Sequence, residues 1–294
     1  MKKISLRAYA KINLGLDVLG TLPDGYHEVR MVMQNIGIYD KVSLTPNNSG
    51  EVKLKCNLKF LSEGADNIAY KAARLILDRY AIPAGVDIDL YKYIPVAAGM
   101  AGGSTDAAAV LKGMNKLFGL ELSTEELMRL GKELGADVPY CVLGGTALAE
   151  GIGEKLTRLS PCPESPILIA KPPISVSTRY VYDNLVLNSD TVHPDIDGII
   201  AAIEAGDIKG VASRLGNVLE DVTIKAHPVI ADIKRAMTAG GSYGVLMSGS
   251  GPTVFGMFSD EREAKECAAE LRRKKLACNT YVTGIVTGEN HYAE

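Results

Sequence analysis

The chain has 294 residues, of which 47% are hydrophobic and 23% charged. This composition is typical of a globular protein with one large or two medium cores, and it argues against a disordered chain. The formal net charge of −3 provides no general attraction for nucleic acid or an anionic membrane surface, so a phosphate-binding site must be local.

The first 80 residues are predicted to form strands followed by a helix. A Pro-Asp-Gly core makes Thr21–Gly25 a strong turn signal. The hydrophobic periodicity predicts a strand–turn–strand unit at residues 4–19, strands at 29–45 and 51–58, and a helix at 66–80.

Residues 86–118 predict a strand, a glycine-rich bend and an alanine-rich helix. Ser123–Glu126 is a capping box that opens a helix ending at Gly135, and two strands are predicted around Gly144. Prolines at 161, 163 and 166 indicate a linker, which predicts two domains, residues 1–160 and 161–294.

The second half alternates helices and strands without a regular repeat, which favours an α+β fold over a doubly wound parallel sheet. Strands are predicted at 167–171, around 244–258 and at 280–287, and helices near 178–186, 195–204, 207–215, 227–239 and 260–275.

The five cysteines are odd in number and scattered, and neither they nor the four histidines have the clustered spacing of a zinc site. This pattern predicts free thiols in a reducing cytoplasm. The sequence shows neither a signal peptide nor a run of membrane-spanning length, so we expect a cytoplasmic protein.

The glycine-rich bend is the clearest candidate site. Small residues before a helix let a phosphate approach the unpaired N–H groups at the positive end of the helix dipole. Ser104 and Thr105 add hydroxyl groups that cap the helix, reach a phosphate or help to hold Mg²⁺. The Walker A lysine and the GxGxxG spacing are both missing, and a tight β–α turn is the alternative interpretation.

Three further segments are ambiguous when each is taken alone. Met247–Val254 is a second glycine-rich loop, typical either of a tight hairpin or of close approach to a ligand or another domain. Lys11 interrupts an apolar strand, where it either points outward or pairs with a carboxylate or phosphate. Asp137 follows a helix end, where aspartate is commonly a turn former.

Together these segments resemble the galactokinase, homoserine kinase, mevalonate kinase and phosphomevalonate kinase (GHMP) superfamily. The ATP loop of that superfamily reads PxxxGLGSS or PxxxGxGGGS, and Pro95–Ser104 corresponds to it here. Four blocks narrow the resemblance to the branch that acts on 4-diphosphocytidyl-2-C-methyl-D-erythritol: Ala10–Leu14, Asp24–Glu28, Gly135–Pro139 and Ser248–Phe255.

The resemblance implies a two-domain α+β GHMP-kinase fold with the active site in a cleft. The N-terminal domain would be ribosomal-protein-S5-domain-2-like and the C-terminal domain a ferredoxin-like α/β sandwich. The resemblance also implies ATP and Mg²⁺, phosphorylation of the 2-hydroxyl group of that substrate, and a place in non-mevalonate isoprenoid precursor synthesis.

The resemblance assigns roles residue by residue. Asp137 is implied as the general base, with Lys11 as its charge partner near the transferring phosphoryl group. Asn67 matches a position on the adenine side, and Ser104 would contact Mg²⁺ bound to ATP. The implied ATP-binding loop consists of Pro95, Val96, Ala97, Ala98, Gly99, Met100, Ala101, Gly102, Gly103, Ser104 and Thr105.

The implied substrate-binding residues are Asn13, Tyr26, His27, Thr178 and Tyr182, with His27 reading cytosine and Tyr182 stacking on it. Tyr180 is an alternative to Tyr182.

Met100 and Ala101 depart from the family, in which many members have leucine and glycine. Because alanine disfavours positive φ, we expect residue 101 in ordinary αR or β backbone.

Other functions stay open at this stage. A kinase for another small alcohol is disfavoured by Tyr26 and His27, and a non-catalytic nucleotide-binding regulator by the intact Lys11 and Asp137. A nucleic-acid binder has only fold analogy behind it and is disfavoured by the net charge. We expect a monomer or a homodimer with a small-molecule substrate and no nucleic-acid or membrane partner.

Overall fold

The computed structural model describes residues 3–23 and 25–287. These residues form a seven-stranded sheet and a four-stranded sheet, with helices packed against both. None of the described helices has the length and apolar content needed to span a lipid bilayer. The proposed domain boundary near residue 160 falls between the sixth and seventh strands and stays a prediction.

Strands and helices follow one another along the whole described chain. The strands are β1 (Ile4–Thr21), β2 (His27–Asn47), β3 (Val52–Cys56), β4 (Gly85–Tyr91), β5 (Thr146–Gly151), β6 (Lys155–Arg158), β7 (Pro166–Lys171), β8 (Gly216–Asn217), β9 (Gly244–Met247), β10 (Val254–Met257) and β11 (Asn279–Gly284). The helices are α1 (Ile68–Arg79), α2 (Gly102–Phe118), α3 (Thr124–Leu134), α4 (Val138–Leu143), α5 (Thr178–Asp183), α6 (Ile196–Glu204), α7 (Ile208–Ser213), α8 (Glu220–Ala226), α9 (Val229–Ala239) and α10 (Glu261–Arg273).

The larger sheet is built on the long antiparallel pair of β1 and β2. Five of its strands lie in the order β3-β4-β2-β1-β8. Strand β5 pairs with a different part of β2, and β6 pairs with β5. The predicted turn between β1 and β2 is present, because Gly25 N donates to Leu22 O at 2.9 Å and Gly25 has a φ of 85°. Asp24, part of the sequence block that begins there, lies outside the described residues.

The predicted strand–turn–strand unit at residues 4–19 is wrong, because β1 is one strand. Its pairing with β2 shifts register at three places: between Tyr9 and Lys11, between Asn13 and Gly15, and between Val18 and Gly20. The first shift leaves extra residues in β2 and the second leaves one extra residue in β1, and irregularities of this kind turn a strand so that its faces change partners. These shifts, rather than a turn, interrupt the regular alternation of side chains.

The faces of β1 therefore pack against different partners. Leu6 and Leu16, on either side of the first two shifts, belong to the core shared with α1 and α2. Ile12, between these two shifts, instead packs in a second core that includes Ile167 and Ile169 of β7. The middle of β1 is thus the place where the two sheets meet.

The smaller sheet has the order β11-β7-β10-β9 and is antiparallel throughout. Along the chain, β7 is followed by helices, then by β9 and β10, by α10 and by β11. This is the β-α-β-β-α-β order of a ferredoxin-like unit. The short β8 joins the other sheet instead, pairing in parallel with Gly15 and Leu16 of β1.

Local signals account for most of the helix boundaries. The predicted capping box is present, since Ser123 Oγ accepts from Glu126 N at 3.2 Å and Glu126 Oε2 accepts from Ser123 N at 2.8 Å.

The prediction of two strands around Gly144 is wrong in its first half. The residues before Gly144 form α4 instead of a strand, because Pro139 in the first turn has the fixed φ that favours a helix start. The predicted strand after the glycines is present as β5. Helix α8 was not predicted from the sequence.

We expect Ser123→Ala to lower the free energy of unfolding by about 1 kcal/mol, because it removes one N-cap hydrogen bond from α3. Urea denaturation followed by circular dichroism measures this loss. Ser123→Asp keeps a capping oxygen and should recover most of it. A loss below about 0.3 kcal/mol for Ser123→Ala would mean that the cap contributes little to stability.

Candidate functional site

A cavity of about 870 Å³ opens between the glycine-rich bend, β1 and α5. Most of the residues singled out from the sequence line it. They are Lys11, Tyr26, His27, Asn67, residues 95–104, Asp137, Thr178 and Tyr182. Asn13 and Thr105 do not line the cavity, and both are buried beneath it.

The bend from Pro95 to Ala101 contains three left-handed residues. Gly99 has a φ of 70°, and Ala97 and Ala101 have φ values of 51° and 55°. The expectation that residue 101 adopts αR or β backbone is therefore wrong. Ala101 is the residue that turns the chain into α2, and its αL conformation costs about 1–2 kcal/mol that the surrounding packing must offset.

The start of α2 presents its first N–H groups to the cavity. Gly102, Gly103 and Ser104 occupy the first turn, where backbone N–H groups have no intrahelical acceptor. The positive end of the helix dipole adds to them, so this end of α2 suits a phosphate group. The Thr105 hydroxyl is already used, since it donates to Tyr9 O at 2.8 Å.

The first register shift of β1 anchors the bend. Because the shift lies between Tyr9 and Lys11, these residues make contacts outside the β1–β2 ladder. Lys11 N donates to Met100 O at 3.2 Å, and Tyr9 O accepts the hydrogen bond from Thr105. The same strand thus fixes the bend and the start of α2.

The second glycine-rich loop packs directly against the first. Ser248 Oγ donates to Gly99 O at 2.9 Å, and a Cβ atom on Gly99 would lie 2.2 Å from Ser248 O. Asn217 supports this loop from below, because its Nδ2 donates to Met247 O and to Gly249 O, each at 2.8 Å. The loop joins the antiparallel strands β9 and β10 as a hairpin, and it also approaches the first loop closely, so both structural interpretations are observed.

Lys11 and Asp137 lie in the same cavity, but they do not form an ion pair. Lys11 Nζ donates to Asn13 Oδ1 at 2.8 Å, and Asn13 Nδ2 contacts Met31 Sδ at 3.2 Å. Asp137 is the N-cap residue of α4, and within the described part of the chain its side chain accepts no capping hydrogen bond. The carboxylate is therefore free to accept a proton or a hydrogen bond from a ligand.

Cys141 lies beneath this pair, one turn after Asp137 on α4. Burial raises the pKa of its thiol, with a smaller contribution from the charge of Asp137, while Lys11 opposes the rise. The thiol therefore stays protonated and is not a nucleophile.

An aromatic pair lies at the other end of the cavity. The rings of His27 and Tyr182 have centroids 5.0 Å apart and planes 41° apart. Burial raises the pKa of Tyr182 to about 12, so the phenol stays neutral and available as a hydrogen-bond donor. Tyr180, the alternative, is 50% exposed and lines a different cavity.

Thr178 connects the aromatic end to the second glycine-rich loop. The Thr178 and Ser250 hydroxyl groups are 2.8 Å apart, and Ser250 O also accepts from Thr223 at 3.2 Å. Tyr26 lies at the rim and is 59% exposed. Ser250 was not predicted as a site residue, although it lies within the Ser248–Phe255 block.

Asn67 is the N-cap residue of α1. Its Oδ1 accepts from Ala69 N at 2.9 Å, and its Nδ2 donates to Ser62 O at 2.8 Å. Both ends of the amide are therefore engaged in the protein, and the residue helps to form one wall of the cavity.

A buried charge cluster that was not predicted from the sequence lies beneath the bend and consists of Asp40, Lys92 and Asp106. Lys92 Nζ forms ion pairs with both carboxylates, and the three residues are 0–7% exposed. Burial raises the pKa of Asp106, and the nearby Asp40 adds to the rise while Lys92 opposes it. Burial lowers the pKa of Lys92, but the two carboxylates outweigh it and the net shift is upward.

No local pattern in the sequence identifies this cluster. Asp40 lies 52 residues before Lys92, and Lys92 lies 14 residues before Asp106. The available signal was weak: Lys92 directly follows β4, and Asp106 directly precedes the apolar run Ala107–Leu111 of α2.

Comparison with protein families finds two matches. Residues 67–145 match the GHMP kinases N terminal domain, and residues 199–277 match the GHMP kinases C terminal domain. Together the two matches cover more than half of the chain.

Full-length relatives are similar over nearly all of the chain. The chain is 54% identical over 287 residues to a 4-diphosphocytidyl-2-C-methyl-D-erythritol kinase of Lachnospira eligens, covering 98% of this chain and 100% of the relative. It is 50% identical over 278 residues to the enzyme of the same name from Acetivibrio thermocellus, covering 95% and 98% of the two chains.

Solved structures agree with these relatives. A crystal structure of 4-(cytidine 5'-diphospho)-2C-methyl-D-erythritol kinase superposes with a TM-score of 0.83 at 33% identity, covering 97% of this chain and 100% of that one. A homoserine kinase from Cytophaga hutchinsonii has a TM-score of 0.76 at 19% identity, covering 99% and 96%, and shares the fold alone.

Gly99→Ala is expected to disrupt the contact between the two loops, because Gly99 has a positive φ and its Cβ would overlap Ser248 O. Gly119→Ala is the matched control, since Gly119 has a φ of 60° and nothing lies within 4 Å of its Cβ position. We expect Gly119→Ala to cost about 1 kcal/mol of stability from the backbone alone. Gly99→Ala should cost about 1–3 kcal/mol more.

Chemical denaturation measures both stabilities, and calorimetry with a non-hydrolysable ATP analogue measures binding. Binding should weaken at least tenfold in Gly99→Ala and remain unchanged in Gly119→Ala. Equal stabilities for the two variants would show that the loop contact is not tightly packed.

Proposed function

This chain belongs to the GHMP kinases and, within them, to the 4-diphosphocytidyl-2-C-methyl-D-erythritol kinases, and from that membership we propose its reaction. The enzyme transfers the γ-phosphoryl group of ATP to the 2-hydroxyl group of 4-diphosphocytidyl-2-C-methyl-D-erythritol, in the non-mevalonate synthesis of isoprenoid precursors. The observation that carries the proposal is that one cavity contains a phosphate-binding helix start, Lys11, Asp137 and the His27–Tyr182 pair.

The phosphate end of the site is the bend and the start of α2. Phosphoryl transfer depends chiefly on positioning and on neutralising charge. The N–H groups of Gly102, Gly103 and Ser104 and the positive end of the α2 dipole supply part of that charge. We assign residues 95–104 to the phosphates and the wall formed by Asn67 to the adenine side, with Thr105 supporting the loop through Tyr9.

The acceptor end is Asp137, which we assign as the group that accepts the hydrogen bond or the proton of the 2-hydroxyl. This role is supported by the open carboxylate at the α4 N-cap, which faces the cavity. Lys11, 5% exposed and hydrogen-bonded to Asn13, has further N–H groups for a phosphoryl oxygen. Asn13 acts by orienting Lys11 rather than by touching the substrate.

Mg²⁺ fits this site through ATP. Ser104 lies in the first turn of α2 and lines the cavity, and its hydroxyl oxygen is the donor type that Mg²⁺ prefers. Within the described residues, no group of three or more His, Cys, Asp or Glu side chains forms a dedicated metal site. The remaining ligands would therefore be phosphate oxygens and water, and the ion would neutralise phosphate charge.

The aromatic end fits the cytidine group of the substrate. Base stacking on an aromatic ring contributes about 1–3 kcal/mol, and the Tyr182 ring is well placed for it beside His27. Thr178 and Tyr26 lie at the same end. This pair favours a cytidine compound over a small alcohol such as homoserine.

We further propose that the enzyme acts in the cytoplasm. All five cysteines are free, and four of them are buried. A buried apolar environment raises the pKa of the Cys141 thiol, which limits its oxidation.

Asp137→Asn should lower kcat by about 10²–10⁴-fold, because it removes the general base while preserving the shape of the side chain. A coupled assay of ADP release measures kcat, and calorimetry should show unchanged affinity for an ATP analogue. Asp183→Asn is the control, since it removes another carboxylate lining the cavity, and it should stay within threefold of wild type. Unchanged turnover in Asp137→Asn would refute the assignment.

Tyr182→Leu should raise KM for the cytidine substrate by about 5–150-fold, which corresponds to the loss of one base-stacking contact. Tyr182→Phe keeps the ring and should restore most of the affinity. Tyr180→Leu, on the same helix but outside the cavity, should leave KM unchanged. If Tyr180→Leu and Tyr182→Leu raised KM equally, the cytosine would not bind beside His27.

A further inference from the structure

The chain that enters the glycine-rich bend is held by Asp40 of β2. Asp40 Oδ1 accepts from Ile94 N at 2.8 Å and also from Tyr93 N. These two residues directly precede Pro95, where the bend begins. Asp40 Oδ2 accepts from Lys92 Nζ, so the same carboxylate connects the entering chain to the buried ammonium group.

The chain that leaves the bend is held by Lys92. Its Nζ donates to Gly102 O at 3.2 Å and to Asp106 Oδ2, and both acceptors lie at the start of α2. One ammonium group therefore connects the two ends of residues 95–101.

Lys92 lines the nucleotide cavity, so it has the position of a cation that could bind phosphate. An ammonium group has three N–H donors. Here the acceptors are Asp40, Asp106 and Gly102 O, and they use all three donors. A phosphate could contact Lys92 only by displacing one of these contacts.

We propose that Lys92, Asp40 and Asp106 are positioning residues that hold residues 95–101 at the spacing the nucleotide requires, without touching the nucleotide themselves. The proposal rests on the ATP-binding part of the proposed function and is independent of which alcohol is phosphorylated. Asp106 contacts Lys92 through Oδ2, and within the described residues its buried Oδ1 has no hydrogen-bond partner.

Asp106→Ala should change the affinity for an ATP analogue in opposite directions, depending on whether Lys92 positions the loop or contacts phosphate directly. It leaves Lys92 and Asp40 as a balanced pair, so the net charge of the buried cluster changes from negative to neutral. If Lys92 bound phosphate directly, freeing one N–H donor would tighten binding of an ATP analogue. If Lys92 positions the loop, the released α2 end should weaken binding about tenfold.

The measurement is the Kd of a non-hydrolysable ATP analogue with Mg²⁺, obtained by calorimetry without the alcohol. Asp106→Asn is expected to stay within threefold of wild type, because its Oδ1 can replace Asp106 Oδ2 as the acceptor for Lys92. KM for the alcohol should not change in either variant. Arg79→Met, which removes the surface pair with Glu133, is the control and should leave Kd unchanged.

Tighter binding in Asp106→Ala would overturn the proposal and assign Lys92 to phosphate. Lower stability with an unchanged Kd would also overturn it, because the cluster would then be only structural. A tenfold weaker Kd in folded Asp106→Asn would overturn it as well, even if Asp106→Ala did not fold. Wild-type protein that binds the analogue but does not phosphorylate the cytidine substrate would instead refute the proposed substrate alone.

Discussion

The first two register shifts in the pairing of β1 with β2, after Tyr9 and after Asn13, are the constraint on which the site depends. In a regular strand, Lys11 would share a face with Tyr9 and Asn13, opposite Leu6 and Leu16. These shifts turn the intervening residues toward different partners. As a result, Ile12 packs toward the smaller sheet while Lys11 faces the cavity on the side of the α1–α2 core. The same irregularity frees Lys11 N for Met100 O, so the strand that supplies the ammonium group also anchors the loop.

The second constraint is the contact between the glycine-rich loops. Gly99 approaches Ser248 so closely that no side chain fits between their backbones. Since one loop precedes α2 and the other joins β9 to β10, this contact fixes the two sheets relative to each other at the cavity. The distance between the phosphate end and the aromatic end of the site is set there, through the hydrogen bond of Thr178 to Ser250. A substrate that must span both ends would therefore be selected partly by its length.

The sequence could predict those features that depend on neighbouring residues. The capping box of α3, the turn at Gly25 and the helix after the bend are local, and each was correct. The αL backbone of Ala101 could not be predicted, because the packing of its neighbours overrides the preference of alanine. The family resemblance named residues that do meet in one cavity, although Asn13 and Thr105 support it from below rather than line it. The Asp40–Lys92–Asp106 cluster was invisible because its members come together only when β2, β4 and α2 have packed.

The distribution of charge explains how this site handles phosphate without a Walker lysine. Lys92 is committed to two carboxylates, and those carboxylates outnumber it, so the cluster contributes no positive field. Arg179, at the rim, is paired with Asp183 and is screened by solvent. Under the proposed function, the attraction for phosphate would therefore come mainly from oriented N–H groups at the start of α2, from Lys11 and from the Mg²⁺ proposed to accompany ATP. The attraction of a helix dipole for an anion falls off within about one helical turn, whereas the flexible side chain of a lysine can move with a bound phosphate. A site of this kind depends on the exact placement of its loop, which is why so many buried contacts in this protein converge on residues 95–101.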